Sequence, residues 1–439
     1  MMSPQQRLRH GAVLARVFHP ESLWACALTG LATLVVLATQ APIAVNEGAG
    51  WDGWSYLRMA VDPTVDVGAP YHLRIGWPFL PRHLAPFAAP LANFKLVSGV
   101  CGVLYGIGTW LLLAALFPRT GRLARGLAWS VLNLSELAPL RMAAWYPTSS
   151  DGLANLLFLA VAALVLLDVG RWTRSVGLLL VFFAGTTVRE NFVVNAALVV
   201  LVLAVVFERE RIWLIVSRAS LVPVLAAIAG TLLGALLIRS VTGHSLVAGK
   251  SEVMLGWFGH FRFASTLQAL LALYGLIPLL AVAAMGLPAR RLRAAPGLWV
   301  FLLLTLPVAI VGGSNTERFL YWYMLVVVLL TLPWVDALVA HRRWVELAAA
   351  FVYVALMHRY HVPIHTTAGV ALDSGCALPL YLRGGSPHLS HYAWNCGTEN
   401  HPAFLAVFFG ALGLILLARV RVRGGSPPGA TASLQDADA

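Results

Sequence analysis

The segment GWDGWSYLRMA, residues 50–60, sets Asp52 between Trp51 and Trp54 with Tyr56 one helical turn further on. A carboxylate just beyond an apolar run, framed by indole and phenol rings that favour the headgroup level of a bilayer, is held at the boundary where the dielectric falls. Such an acid can take the proton of a hydroxyl group. The same stretch continues as YHLRIGWPFLPRHL, which supplies His72, Arg74, Arg82 and His83 among aromatics and prolines. Guanidinium groups grip phosphate oxygens as a fork while rings cover lipid or sugar. A proton acceptor and anion ligands thus share one loop. The competing reading is that Asp52 only caps an interfacial helix beginning at Gly53, and both stay open at this point.

Other polar residues fall at the ends of apolar runs. Asp151, in YPTSSDGLANLL, reads first as a helix N-cap and second as a site residue. Arg189 and Glu190 lie at the tip of a deep hairpin, TTVRENF, where burial requires that they pair or face a wet cavity. Arg318, in GGSNTERFLYWY, is a phosphate contact or an interfacial anchor. Glu136, inside an apolar stretch, is functional or bonded across helices. His358, His361 and His365 have the three- and four-residue spacing of metal ligands on a helix, but Pro363 interrupts them and no acid adjoins. A headgroup, acceptor or plain loop role is read for them instead. Glu47 is the acid nearest Asp52 in the chain, and no tight acidic pair follows it. A divalent cation is therefore left open and no metal ligand is assigned.

These residues must be positioned by a hydrophobic framework. The 439 residues are 59% hydrophobic and 11% charged with a mean hydropathy of +0.77, which describes a polytopic membrane protein. A formal charge of +12 would point a soluble protein toward nucleic acid; here the basic residues cluster in short segments between apolar runs, and no nucleic-acid partner is expected. The runs, near 22–44, 92–117, 127–146, 152–168, 176–207 (two), 219–239, 264–287, 297–312, 319–335, 345–357 and 403–418, give about twelve spans against the roughly 20 residues each needs. With a cytoplasmic N-terminus, 19 of the 31 Lys and Arg residues fall on the inner side. Both termini are then cytoplasmic and the protein is a multi-pass component of the cell inner (plasma) membrane. The N-terminal apolar stretch reads as a retained first span. Residues 1–424 form one transmembrane domain with extracytoplasmic loops near 45–91, 239–263 and 358–402, and 425–439 read as a disordered cytoplasmic tail. Cys376 and Cys396 share the last outer loop, where a disulfide between them and two free thiols both stay open, since loop spacing does not fix the geometry. Walker, nucleophile-elbow, zincin and Rossmann patterns do not occur.

The Asp-bearing DGWSYLRMA context followed by RIGWPFL, together with PTSSDGLANLLFLA and TVRENF, resembles the integral-membrane glycosyltransferases of the GT-C type. The resemblance implies an all-α polytopic fold with interfacial helices in the first extracytoplasmic loop. It also implies transfer of a hexosyl or pentosyl group, mannosyl among them, from a polyprenyl-phosphate sugar to a lipid, glycan or protein acceptor in the cell envelope. Asp52 takes the place of the catalytic base. Glu47, Trp54, Tyr56, His72, Arg74, Arg82, Asp151, Arg189, Glu190, Arg318, His358 and His361 form the expected substrate-binding set. The alternatives are a secondary transporter or lipid/sugar flippase, and a non-catalytic scaffold. A transporter calls for charge near the midplane and two similar halves; here charge gathers at the outer boundary and no repeat is visible, which favours the transferase.

Overall fold

The computed structural model describes residues 20–39, 47, 49–50, 52–63, 65–68, 70–84, 89–208, 211–214, 218–244, 263–289, 292, 294–311, 316–358 and 401–424. They are α-helical apart from short 3₁₀ turns and one antiparallel hairpin, β1 (Val205–Glu208) with β2 (Arg211–Leu214). Helix α1 (Pro20–Thr39) leads into the first loop, which contains two short helices, α2 (Gly53–Val61) and α3 (Gly76–Leu84), as expected for interfacial elements. In α2 the residues Tyr56, Met59 and Ala60, spaced by three and one, form the buried stripe, while Trp54 is 55% exposed. Helix α4 (Pro90–Leu116) starts with proline at its first position, where the missing N–H is no loss.

The apolar stretch 127–146 is not the single span expected of it. It is split into α5 (Arg122–Leu134) and α6 (Pro139–Trp145). The chain leaves the helix at Ser135, extended at φ −63°, ψ 156°, and Pro139 starts a new one: it disfavours helical backbone at the preceding residue, and Ala138 is extended at φ −59°, ψ 142°. Helix α7 (Asp151–Leu166) follows, then α8 (Arg171–Val188), a 3₁₀ turn at Glu190–Asn195 and α9 (Ala196–Leu203). Arg189 is extended at φ −153°, ψ 122°, which breaks the helix where the TTVRENF turn was read. Beyond the hairpin run α10 (Arg218–Thr242), α11 (Phe263–Tyr274), α12 (Leu276–Ala283), α13 (Ala295–Val311), α14 (Thr316–Tyr321), α15 (Met324–Ala340), α16 (Trp344–Met357) and α17 (His401–Gly424).

Helix α15 is apolar all round and buried from Met324 through Pro333, so it forms the axis of the main core. A second, smaller core locks the first loop to α4 and α7 through Tyr56, Met59, Trp77, Phe94, Cys101, Leu153 and Val188. Within it Trp77 packs edge-on against Phe94 at 5.5 Å and donates its indole N–H to the Thr148 carbonyl at 2.5 Å. On the outside, α1 exposes Leu31 and Leu34 and α10 exposes Leu232 and Leu236, a surface that hydrocarbon solvates better than water. Pro90–Leu116 and Ser220–Thr242 are each long and apolar enough to cross a bilayer unaided.

The α-carbon of Gly53 abuts the side chain of Thr148, whose hydroxyl donates to the Ala49 carbonyl, so an added methyl group collides there. A methyl group added at Gly99 of α4 meets nothing. Gly53→Ala is expected to cost about 1–3 kcal/mol and lower the thermal midpoint in detergent, whereas Gly99→Ala keeps or slightly raises it. Equal melting of the two variants would count against the described packing of the first loop.

Candidate active site

Asp52 stands at the N-cap position of α2, but its carboxylate makes no capping hydrogen bond. It instead accepts the Tyr71 hydroxyl at 3.2 Å and faces two guanidinium groups, with Oδ2 3.5 Å from Arg318 Nη1 and 4.0 Å from Arg74 Nη1. The backbone N–H of Asp52 donates to the Tyr146 hydroxyl at 2.6 Å. The chain reaches that position because Gly50, at φ +75°, lies directly on the Tyr146 ring. A side chain there would meet both a disfavoured backbone and a filled space.

Asp151 likewise departs from its expected cap role. Ser150 occupies the cap position and Asp151 opens α7 with its carboxylate buried. Four donors converge on that carboxylate: Arg189 Nη2 at 3.1 Å, Ser149 Oγ at 2.9 Å, the Trp322 indole N–H at 3.3 Å, and Arg318 Nε in a close ion pair. Arg318 also donates through Nη2 to Ser149 Oγ at 2.9 Å. Its guanidinium is thereby aimed, leaving Nη1 directed at Asp52 and the Tyr146 ring 5.6 Å beneath it. Arg189 is fixed by Ser150 Oγ at 2.6 Å and lies 4.7 Å over the Trp322 ring.

Arg74 completes the cluster from below. It forms a fork with Glu190, Nε to Oε2 at 2.7 Å and Nη2 to Oε1 at 2.8 Å, and gives Nη1 to the Tyr56 hydroxyl at 2.6 Å. Tyr56, Arg74 and Glu190 were expected to touch substrate; they are sealed instead, with side-chain exposures of 5% for Arg74 and 0% for Glu190. Burial works against the Arg74 charge, yet Glu190, Tyr56 and Asp52 together outweigh it, so the guanidinium is held well above its ordinary range. Burial opposes the Arg318 charge too, and Asp151 and Asp52 together raise it. The negative charge of Asp52, then burial, pushes the Tyr71 phenol above its usual value, so it remains a hydrogen-bond donor to that acid.

Three carboxylates therefore face three guanidinium groups in one volume, a neutral assembly that a low-dielectric setting can hold. Exposure separates their roles. Asp52 is 19% exposed and Arg318 14%, against 3% for Asp151 and 0% for Glu190, so Asp52 is the most accessible acid of the cluster. Each acid already faces a guanidinium, which repels a divalent cation, and among the described residues no group of three His, Cys, Asp or Glu is arranged to hold one.

The remaining expectations fare differently. Glu47 is exposed with a left-handed backbone, φ 56°, and no hydrogen bond or ion pair joins it to the cluster among the described residues. Trp54 points outward, and Arg82 is exposed and donates to the Val61 carbonyl at 3.1 Å. His72 is buried, with its ring tilted against that of His244 at a centroid distance of 4.0 Å. His358 is no loop ligand: it is buried at the end of α16, its carbonyl accepts the Glu136 N–H at 3.0 Å, and burial with Arg141 nearby pushes its ring down to about 3. Glu136 lies in the break between α5 and α6. Trp51, His361, His365, Cys376 and Cys396 lie outside the described residues. Sequence reasoning missed Tyr71, Tyr146, Ser149, Ser150 and Trp322. The four-residue interval from Arg318 to Trp322 and the two serines ahead of Asp151 were the available signals.

Set against models of known families, curated proteins and solved structures, the chain matches none.

Glu190→Ala leaves Arg74 buried without its counter-charge and is expected to cost about 3–5 kcal/mol, while the double variant Arg74→Met/Glu190→Leu recovers most of that loss. Thermal unfolding of the two proteins in one detergent measures this. A double variant no more stable than Glu190→Ala would contradict the purely positioning role given to this pair.

Proposed function

We propose that the protein is a membrane glycosyltransferase that moves a sugar from a polyprenyl-phosphate donor to a hydroxyl-bearing lipid, glycan or protein acceptor on the extracytoplasmic face. In this reading the helices make about twelve crossings of the inner membrane with both termini cytoplasmic, the shorter ones completing the span together with their flanking turns. The observation that carries the proposal is the pairing of a reachable carboxylate, Asp52, with a guanidinium 3.5 Å away that a second acid holds in place.

Asp52 accepts the proton of the acceptor hydroxyl as that oxygen bonds to the anomeric carbon of the sugar. The bond from that carbon to the phosphate oxygen breaks, and the lipid phosphate departs with the electron pair. Arg318, oriented by Asp151 and Ser149, meets the charge that develops on the leaving oxygen. Arg74, Glu190 and Tyr56 keep the first loop in register, and Tyr71 and Tyr146 hold Asp52 itself. The transporter alternative draws on the same cluster but needs no proton acceptor.

Purified protein incubated with a panel of polyprenyl-phosphate sugars is expected to transfer one of them. Asp52→Asn should reduce that transfer roughly 100- to 10,000-fold while donor binding stays within about threefold. Unchanged turnover by Asp52→Asn removes the acid from catalysis; donor binding by the native protein with translocation and no transfer makes it a flippase.

A further inference from the structure

A groove with a volume of about 650 Å³ runs between α1, α4 and α6, within the range of small-molecule sites. Its walls are apolar, among them Leu37, Val103, Leu140 and Ala143, and its outward rim is the exposed face of α4. The Thr33 hydroxyl in its wall is already spent on the Thr29 carbonyl at 2.7 Å. One charge lines it: Lys95, exposed, and joined to no ion pair or hydrogen bond among the described residues. Lys95 lies five residues into α4, about 8 Å along the axis from its first residue. An ammonium group on an apolar, sideways-open groove at that depth asks for an anion carried by an apolar body.

Two further observations say which. The arginines of the acid cluster are matched one for one by carboxylates, so the extra negative charge of a phosphate calls for another cation nearby. Also, α6 is shared: Ala143 and Ala144 line the groove, and Tyr146, two residues on, holds the backbone of Asp52. We propose that this groove seats the lipid of the donor, with an isoprenoid chain between α1, α4 and α6 and its phosphate on Lys95. The assignment rests on the lipid-donor reading above and adds the place of entry, lateral and from the bilayer. Gly99 lies in the groove, and a side chain built on it would project into open space.

The test uses full-length protein in detergent, with farnesyl monophosphate as probe and farnesol and inorganic phosphate as controls, read by native mass spectrometry and by titration of tryptophan fluorescence. Farnesyl monophosphate is expected to bind at least about tenfold more tightly than farnesol, and equimolar inorganic phosphate not to displace it. Lys95→Met should weaken the phosphate ester about tenfold, to the level of the alcohol, with Lys95→Arg restoring it. Gly99→Phe, which fills the groove without touching the core, should weaken ester and alcohol alike. Unchanged binding in Lys95→Met or Gly99→Phe, or displacement by inorganic phosphate alone, overturns the proposal. Binding is measured without turnover, so the two readings fail separately. Loss of the groove effect with Asp52-dependent transfer intact overturns the groove only; a Lys95-dependent site in a protein with no transfer overturns the enzyme only.

Discussion

Arg318 reaches Asp151 across 167 residues of sequence and Asp52 across 266, and the organisation of the outer ends of the helices follows from that one guanidinium. A charge held at 14% exposure beside apolar helices is tolerable only when its counter-charges are in place. The first loop, the turn ahead of α7, the extended residue after α8 and the start of α14 must therefore converge before any of them is stable. Each contributes to the balance: acids from the loop, from α7 and from the turn after α8, guanidinium groups from the loop, from the residue that follows α8 and from α14.

Within the cluster, exposure rises from Glu190 through Asp151 to Asp52, and function grades along the same direction. The innermost pair, Arg74 with Glu190, is a fork without access and works as a clamp on the loop. The middle acid aims Arg318. The outermost acid is held by its backbone, by one phenol and by the facing guanidinium groups, and it alone keeps appreciable exposure, 19%. Three charges of each sign give a neutral assembly, and Asp52 gains a fixed field without becoming an isolated buried anion.

Much of the framework was legible in the residues. Apolar runs mark the helices, because burial in lipid or in a core needs continuous hydrophobicity, and Arg189 with Glu190 announced a turn by placing two charges where a helix would have buried them. The stretch 127–146 misled because hydropathy is blind to backbone: an extended Ser135 ends one helix and Pro139 begins another within a run that stays apolar on average. Asp151 misled for a local reason. Three capping residues stand in a row, Ser149, Ser150 and Asp151; the second takes the cap, and the third is released to partners that no local rule can see. Tyr56 and Arg74 were placed in the right cluster but on its wrong side, since spacing gives proximity and not access. Lys95 drew no notice because one ammonium group in a 27-residue apolar helix barely alters its character.

The shortness of α6 carries one more implication. Its seven residues form a short strut bounded by Pro139 and by the turn at Tyr146, and its last turn both lines the groove, through Ala143 and Ala144, and leads directly into the tether of Asp52. Any tilt of that strut is passed to Asp52 through the Tyr146 hydroxyl that holds its backbone. Under the proposed function, filling of the groove and alignment of Asp52 become a single mechanical event.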